Sequence, residues 1–88
     1  MTEQHEHRLK RLKMRSMRRG IKEMDLILER FANASLEGMS DADLTLYDAM
    51  LSENDHDLYQ WVSGQAAAPE PYGDMVALII DQLPETRG

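Results

Sequence analysis

Apolar residues recur along this 88-residue chain at the spacing of a helix surface, and nothing alternates with the period of two that a half-buried strand requires. Met24, Ile27, Leu28 and Phe31 fall at i, i+3, i+4 and i+7, on one side of a helix, while Lys22, Asp25, Glu29 and Arg30 fall largely on the other. The spacing predicts a core-facing helix from just after Gly20 to about residue 34. Before it, residues 8–18 contain no helix breaker. Leu9, Leu12 and Ser16 share one side there and Arg8, Arg11, Arg15 and Arg18 another. This short basic helix is expected to cover a core edge with Leu9, Leu12 and Met17 while its guanidinium groups remain in water.

Residues 37–39 read as a turn. Ser40 then supplies an N-cap hydroxyl, with Asp41 and Asp43 in the first turn of a third helix striped by Leu44, Tyr47, Met50 and Leu51. That helix is expected to stop near Glu53 and Asn54. Asn54 or Asp55 can cap a fourth helix, in which Leu58, Trp61 and Val62 face one way and Ser63-Gly64 closes the end. Trp61, the largest apolar side chain present, is expected in the core. Residues 65–71, with three alanines and two prolines, form a semi-rigid link. Pro71 suits the first position of a fifth helix carrying Met75, Val76, Ile79, Ile80 and Leu83, and Pro84 ends it. The expectation is an all-α chain, a compact five-helix bundle of short helices: a disordered tail over 1–7, a single helical domain over 8–84 and a C-terminal tail over 85–88.

Eighty-eight residues make one modest core and leave little room for a deep internal catalytic cavity. There is no cysteine, hence no disulfide and no thiolate metal site. The longest apolar run, residues 75–80, is far below the ~18–20 residues that span a bilayer, so no membrane insertion is expected. The first residues lack a hydrophobic signal core and include Glu3 and Glu6, unlike acid-poor mitochondrial presequences. On that reading the protein is cytoplasmic and bacterial. The net charge is −6, but it is unevenly spread. Residues 1–30 hold nine Lys/Arg against five acids, and residues 31–88 hold one against eleven. The basic first helix permits an alternative reading as a small nucleic-acid-binding or regulatory protein. Against it, the acidic body repels phosphate and no helix-turn-helix recognition pattern follows, so no nucleic-acid partner is expected.

The candidate chemistry concentrates between the first two helices, where Arg18, Arg19, Gly20, Lys22 and Glu23 stand together. One reading is local: Gly20 is a C′ residue ending the first helix and Glu23 satisfies orphan N–H groups in the first turn of the next. The other is functional: a glycine lets a second backbone approach closely, beside a presented carboxylate. Enzyme machinery is missing. There is no Gly-x-Ser-x-Gly and no phosphate-cradling glycine loop, and the serines at 16, 35, 40, 52 and 63 read as caps or helix-surface residues. Asp55 and Asp57 sit where a helix N-terminus favours negative charge, so capping outweighs acid–base chemistry. His5 and His7, with Glu3 and Glu6, lack a third ordered ligand, and no metal is expected.

Three segments in order give this cluster a context: Arg15, Ser16, Arg18 to Gly20, Lys22, Glu23, Asp25 and Leu26; then Ser40 and Asp41; then Asp55 and Asp57 to Trp61. Together they resemble the succinate dehydrogenase flavinylation (assembly) factor family, over residues 9–83. The resemblance implies a five-helix fold and a non-enzymatic, chaperone-type factor. Such a factor binds the flavoprotein subunit of succinate dehydrogenase, and often of fumarate reductase, and promotes covalent attachment of FAD to a histidine of that subunit. No cofactor is then held stably by the factor itself; the FAD is the partner's. The Arg-Gly-x-x-Glu cluster would be the contact surface. Gly20 would permit close approach, Glu23 would offer its carboxylate, Arg19 would pair with an acid or stabilise the turn, and Arg18 and Lys22 would flank them. The chain departs from the family at His56, where a proline is common, and in the first helix, where Met14 and Met17 stand near the position of a common aromatic.

Overall fold

The computed structural model describes residues 4–83, which form α1 (His5–Arg15), α2 (Lys22–Ser35), α3 (Asp41–Met50), α4 (Asp55–Val62) and α5 (Gly73–Asp81), with a single 3-10 turn, Leu36–Gly38, after α2. No strand occurs among the described residues. The expected stripes become the core: Leu12 from α1, Met24, Leu28 and Phe31 from α2, Leu44, Tyr47 and Met50 from α3, Leu58 from α4, and Met75 and Ile79 from α5 are all buried, joined by Leu36 and Leu51 from the connections. Phe31 and Tyr47 meet in a tilted pair with ring centroids 5.5 Å apart. Burying each such side chain is worth roughly 1.5–3 kcal/mol, which is how a chain without cross-links holds together. α2 is the centre of the packing and touches α1, α4 and α5, while α5 also lies against α3 and α4.

The caps follow the sequence closely. Ser40 accepts a hydrogen bond from the Asp43 N–H at 3.1 Å, and the Asn54 side chain accepts from the His56 N–H at 2.8 Å. Past the end of α4, Gly64 takes φ +85°, the left-handed conformation for which glycine is suited.

Three expectations change. Helix begins at His5, so residues 5–7 belong to α1 and not to a disordered tail. Glu6 in the first turn suits the positive helix end, and Arg8 anchors the following turn to α3. Residues 1–3 and 84–88, with the rest of that tail, the C-terminal tail and the Pro84 stop, lie outside the described residues. Trp61 is only half-buried. It packs on the margin of the core and stacks on Tyr72, centroids 6.0 Å apart. Pro71 does not open α5: a turn closed by the Tyr72 N–H on the Pro69 carbonyl at 2.8 Å occupies it, and the helix starts after Tyr72.

Candidate functional site

The basic face of α1 is not left in water. α3 lies alongside, and one acid, two hydroxyls and two carbonyls from it and the turn that follows receive the guanidinium groups in succession. Arg8 donates to Thr45 Oγ1 and, at 3.3 Å, to the Asp41 carbonyl. Arg11 grips both Asp48 carboxylate oxygens at 2.9 and 3.2 Å, and Arg15 adds bonds to the same carboxylate, to the Asp48 carbonyl at 3.1 Å and to Ser52 Oγ at 3.1 Å. The Arg11 hydrogen bonds, reinforced by Arg15 against the opposing effect of partial burial, hold the Asp48 carboxyl below its ordinary value. Beneath this seam, buried Ser16 donates to or accepts from Tyr47 Oη at 2.6 Å. Burial pushes the Tyr47 phenol up to about 12, although the Ser16 hydrogen bond and the charge of Arg19 pull the other way. The expected solvated arginine face is therefore an intramolecular seam, because the chain folds its own acids onto it.

The corner between α1 and α2 is built differently. α1 ends at Arg15 with Ser16 as its C-cap, ahead of Gly20. The residue with positive φ is Arg18, at 56°, held there by its N–H donating to Asp25 Oδ1 at 2.8 Å. Gly20 is thus not a left-handed C′ residue. Its bare backbone instead leaves room for a close approach. Its N–H donates to Asp55 Oδ2 at 2.7 Å, and a Cβ placed on it would stand 3.0 Å from that oxygen. Asp55, the first residue of α4, is not the cap of its helix, a task Asn54 performs. Its other oxygen accepts from Arg19 Nε at 2.8 Å. Arg19 also reaches the Arg15 carbonyl through Nη1 at 2.8 Å and the Leu51 carbonyl through Nη2 at 2.9 Å, and its side chain is only 12% exposed. Within the fold Arg19 thus both pairs with an acid, Asp55, and braces the turn.

The other four residues of the cluster lie at the surface. Arg18, Gly20, Lys22 and Glu23 are exposed, and among the described residues the side chains of Arg18, Lys22 and Glu23 make no ion pair or hydrogen bond. Exposed apolar side chains stand nearby in the chain. Met14 (70% exposed) and Met17 line a shallow depression with Arg18, and Leu26 (59% exposed) lies one turn along α2 from Lys22 and Glu23. Such an arrangement, apolar groups among unpaired charges, suits recognition of another macromolecule. No cluster of three or more His, Cys, Asp or Glu suited to a metal is found among the described residues, and no described helix is long and apolar enough to cross a membrane.

Asp55 is the member of this site that sequence reasoning missed. It read as a helix cap and as part of the Asp55 to Trp61 segment, and no local signal connects it with Gly20, 35 positions earlier.

A family model described as Sdh5, flavinator of succinate dehydrogenase, matches residues 10–83. Similar proteins include fungal ones named succinate dehydrogenase assembly factor 2, mitochondrial. The Meyerozyma guilliermondii protein is 44% identical over 61 residues, covering 69% of this chain and 45% of its own length. The one from Schizosaccharomyces pombe is 42% identical over 64 residues (73% and 46%), and that from Debaryomyces hansenii 47% over 53 residues (60% and 37%). The chain thus spans less than half the length of these curated relatives. Because they are fungal and named mitochondrial, the expectation of a bacterial cytoplasmic location is corrected. It rested on two acids near the start of the chain, a stretch the matched segment does not include. The nucleic-acid alternative loses its footing as well, since Arg8, Arg11 and Arg15 are engaged by α3.

Proposed function

Since the chain belongs to the family described as flavinators of succinate dehydrogenase, we propose that it is an assembly factor that binds the flavoprotein subunit of that enzyme and promotes covalent attachment of the subunit's FAD. The observation that carries the assignment of the surface is the contrast within one basic run: Arg8, Arg11, Arg15 and Arg19 are bound internally, while Arg18, Gly20, Lys22 and Glu23 stand exposed on a single corner.

On this reading the factor performs no bond-making itself. The covalent bond forms within the flavoprotein, and the factor supplies geometry by holding the partner so that the accepting histidine and the flavin lie near attack distance, an effect that can be worth several kcal/mol. Glu23 offers a carboxylate to a basic or N–H-rich patch of the partner. Arg18 and Lys22 steer and register the contact as rim charges. Met14, Met17 and Leu26 add apolar area close by.

The test is capture of the purified flavoprotein subunit by the tagged chain, followed by in-gel flavin fluorescence of that subunit. Glu23→Ala is expected to weaken capture by roughly tenfold or more while the thermal midpoint changes little, since the Glu23 side chain has no partner among the described residues. Undiminished capture would remove Glu23 from the surface. Normal flavin fluorescence in cells lacking the chain would remove the function.

A further inference from the structure

The corner's conformation is set by a contact that crosses the molecule. Arg19 lies under the surface and joins the ends of three helices: the last carbonyl of α1 at Arg15, the Leu51 carbonyl just past α3, and the Asp55 carboxylate at the start of α4. The second oxygen of the same carboxylate holds the Gly20 N–H at 2.7 Å. One aspartate therefore fixes both the side chain and the backbone at consecutive positions, Arg19 and Gly20. The exposed residues Lys22 and Glu23 follow directly, in the first turn of α2.

Resting on the partner-binding role proposed above, we infer that Asp55 is a positioning residue of that surface, and that glycine is required at position 20 to admit the Asp55 carboxylate. Any Cβ there would stand 3.0 Å from Oδ2, tighter than ordinary contact, so a side chain at position 20 shifts the carboxylate by a few tenths of an ångström and loosens its hold on the backbone N–H. Losing that contact frees the backbone on which Lys22 and Glu23 are carried. A surface that must be ordered at the moment of binding binds more weakly than one already ordered. Arg19 then acts from beneath the interface. Its charge is neutralised by Asp55 and its donors are engaged on Asp55, Arg15 and Leu51, so what the partner meets is the Gly20 backbone with Arg18, Lys22 and Glu23 around it.

A double-mutant cycle tests this. Affinity for the flavoprotein subunit is measured for the wild type, Gly20→Ala, Asp55→Ala and the double variant, at a temperature where circular dichroism finds each folded. Asp48→Ala serves as a control that removes an ion-pair cluster without touching Asp55 or Gly20. Gly20→Ala and Asp55→Ala are each expected to weaken capture roughly tenfold. The double variant is expected to bind about as well as Asp55→Ala alone, because the added methyl no longer has a carboxylate to displace. Asp48→Ala is expected to lower the thermal midpoint and leave affinity unchanged, which separates positioning from stability.

Should Asp55→Ala fold poorly, Asp55→Asn keeps the size and removes the charge. Weakened capture together with a shifted Gly20 amide proton resonance supports the inference, and an unmoved resonance with normal capture overturns it. Two further results would also overturn it: full affinity in folded Asp55→Ala, or losses from Gly20→Ala and Asp55→Ala that multiply in the double variant, which would make the glycine a direct partner contact. Failure of the wild type to capture the flavoprotein defeats the proposed function itself, and is distinguishable because a failed latch leaves wild-type capture intact.

Discussion

Arg11 and Arg18 belong to the same basic run, yet the first closes a bidentate pair on Asp48 and the second carries an unpaired guanidinium into solvent from a left-handed backbone. The difference lies in what faces each residue. Opposite α1 the chain supplies Asp48, Thr45, Ser52 and the carbonyls of α3, so charge there is consumed in joining two helices. Opposite the corner it supplies Asp55, taken up by Arg19 and Gly20, and among the described residues the side chains of Arg18, Lys22 and Glu23 have no ion-pair or hydrogen-bond partner. Residue type alone does not tell a structural cation from one available to a partner; the neighbours across the fold decide it.

If the two regions are as separate as this implies, substitutions should sort cleanly between binding and stability. The largest effect is expected from Gly20→Arg, which drives a long side chain into the space of the Asp55 carboxylate. Capture of the flavoprotein and flavin fluorescence should fall below detection with helical circular dichroism largely kept. A wholly unfolded variant would merge the corner with the core and break the comparison.

Next comes Asp48→Ala, expected to cost about 1 kcal/mol in chemical denaturation, a modest figure because both ion pairs are partly exposed. Its acid dependence sharpens the point. Asp48 has a folded pKa lowered from 3.8, so its stabilisation is complete above that value and is lost as pH falls below it. The gap in thermal midpoint between wild type and Asp48→Ala should therefore narrow on acidification below pH 3.8, and a constant gap would assign the loss to packing. The smallest effect is expected for Arg18→Gly. Relief of the left-handed strain and the added freedom of glycine nearly cancel, leaving stability within about 0.5 kcal/mol. Loss of a rim charge should weaken capture about two- to threefold, more so at low salt.

Most of the architecture was legible from periodicity, because the residues that fill the core recur at helical spacing within single segments, as Met24, Leu28 and Phe31 do. The caps at Ser40 and Asn54 and the glycine ending α4 were legible for the same reason: the signal and the structure it specifies lie within a few residues. The pairing of α1 with α3 was not, since an arginine stripe reads alike whether water or another helix covers it. Asp55 looked like a helix cap because its local context is a helix start, and its bonds to Arg19 and Gly20 exist only once α4 packs beside the corner. The exposure of Trp61 escaped for a related reason: its neighbour Tyr72 arrives from beyond the proline-containing link.

The seam between α1 and α3 also fixes an order of events. Arg8, Arg11 and Arg15 bind residues 33 to 37 positions further along the chain, so during synthesis these side chains lack their partners until the third helix has left the ribosome. Until then the nascent chain carries a naked cationic helix, and the charge the finished molecule conceals is at its most accessible while the molecule is being made.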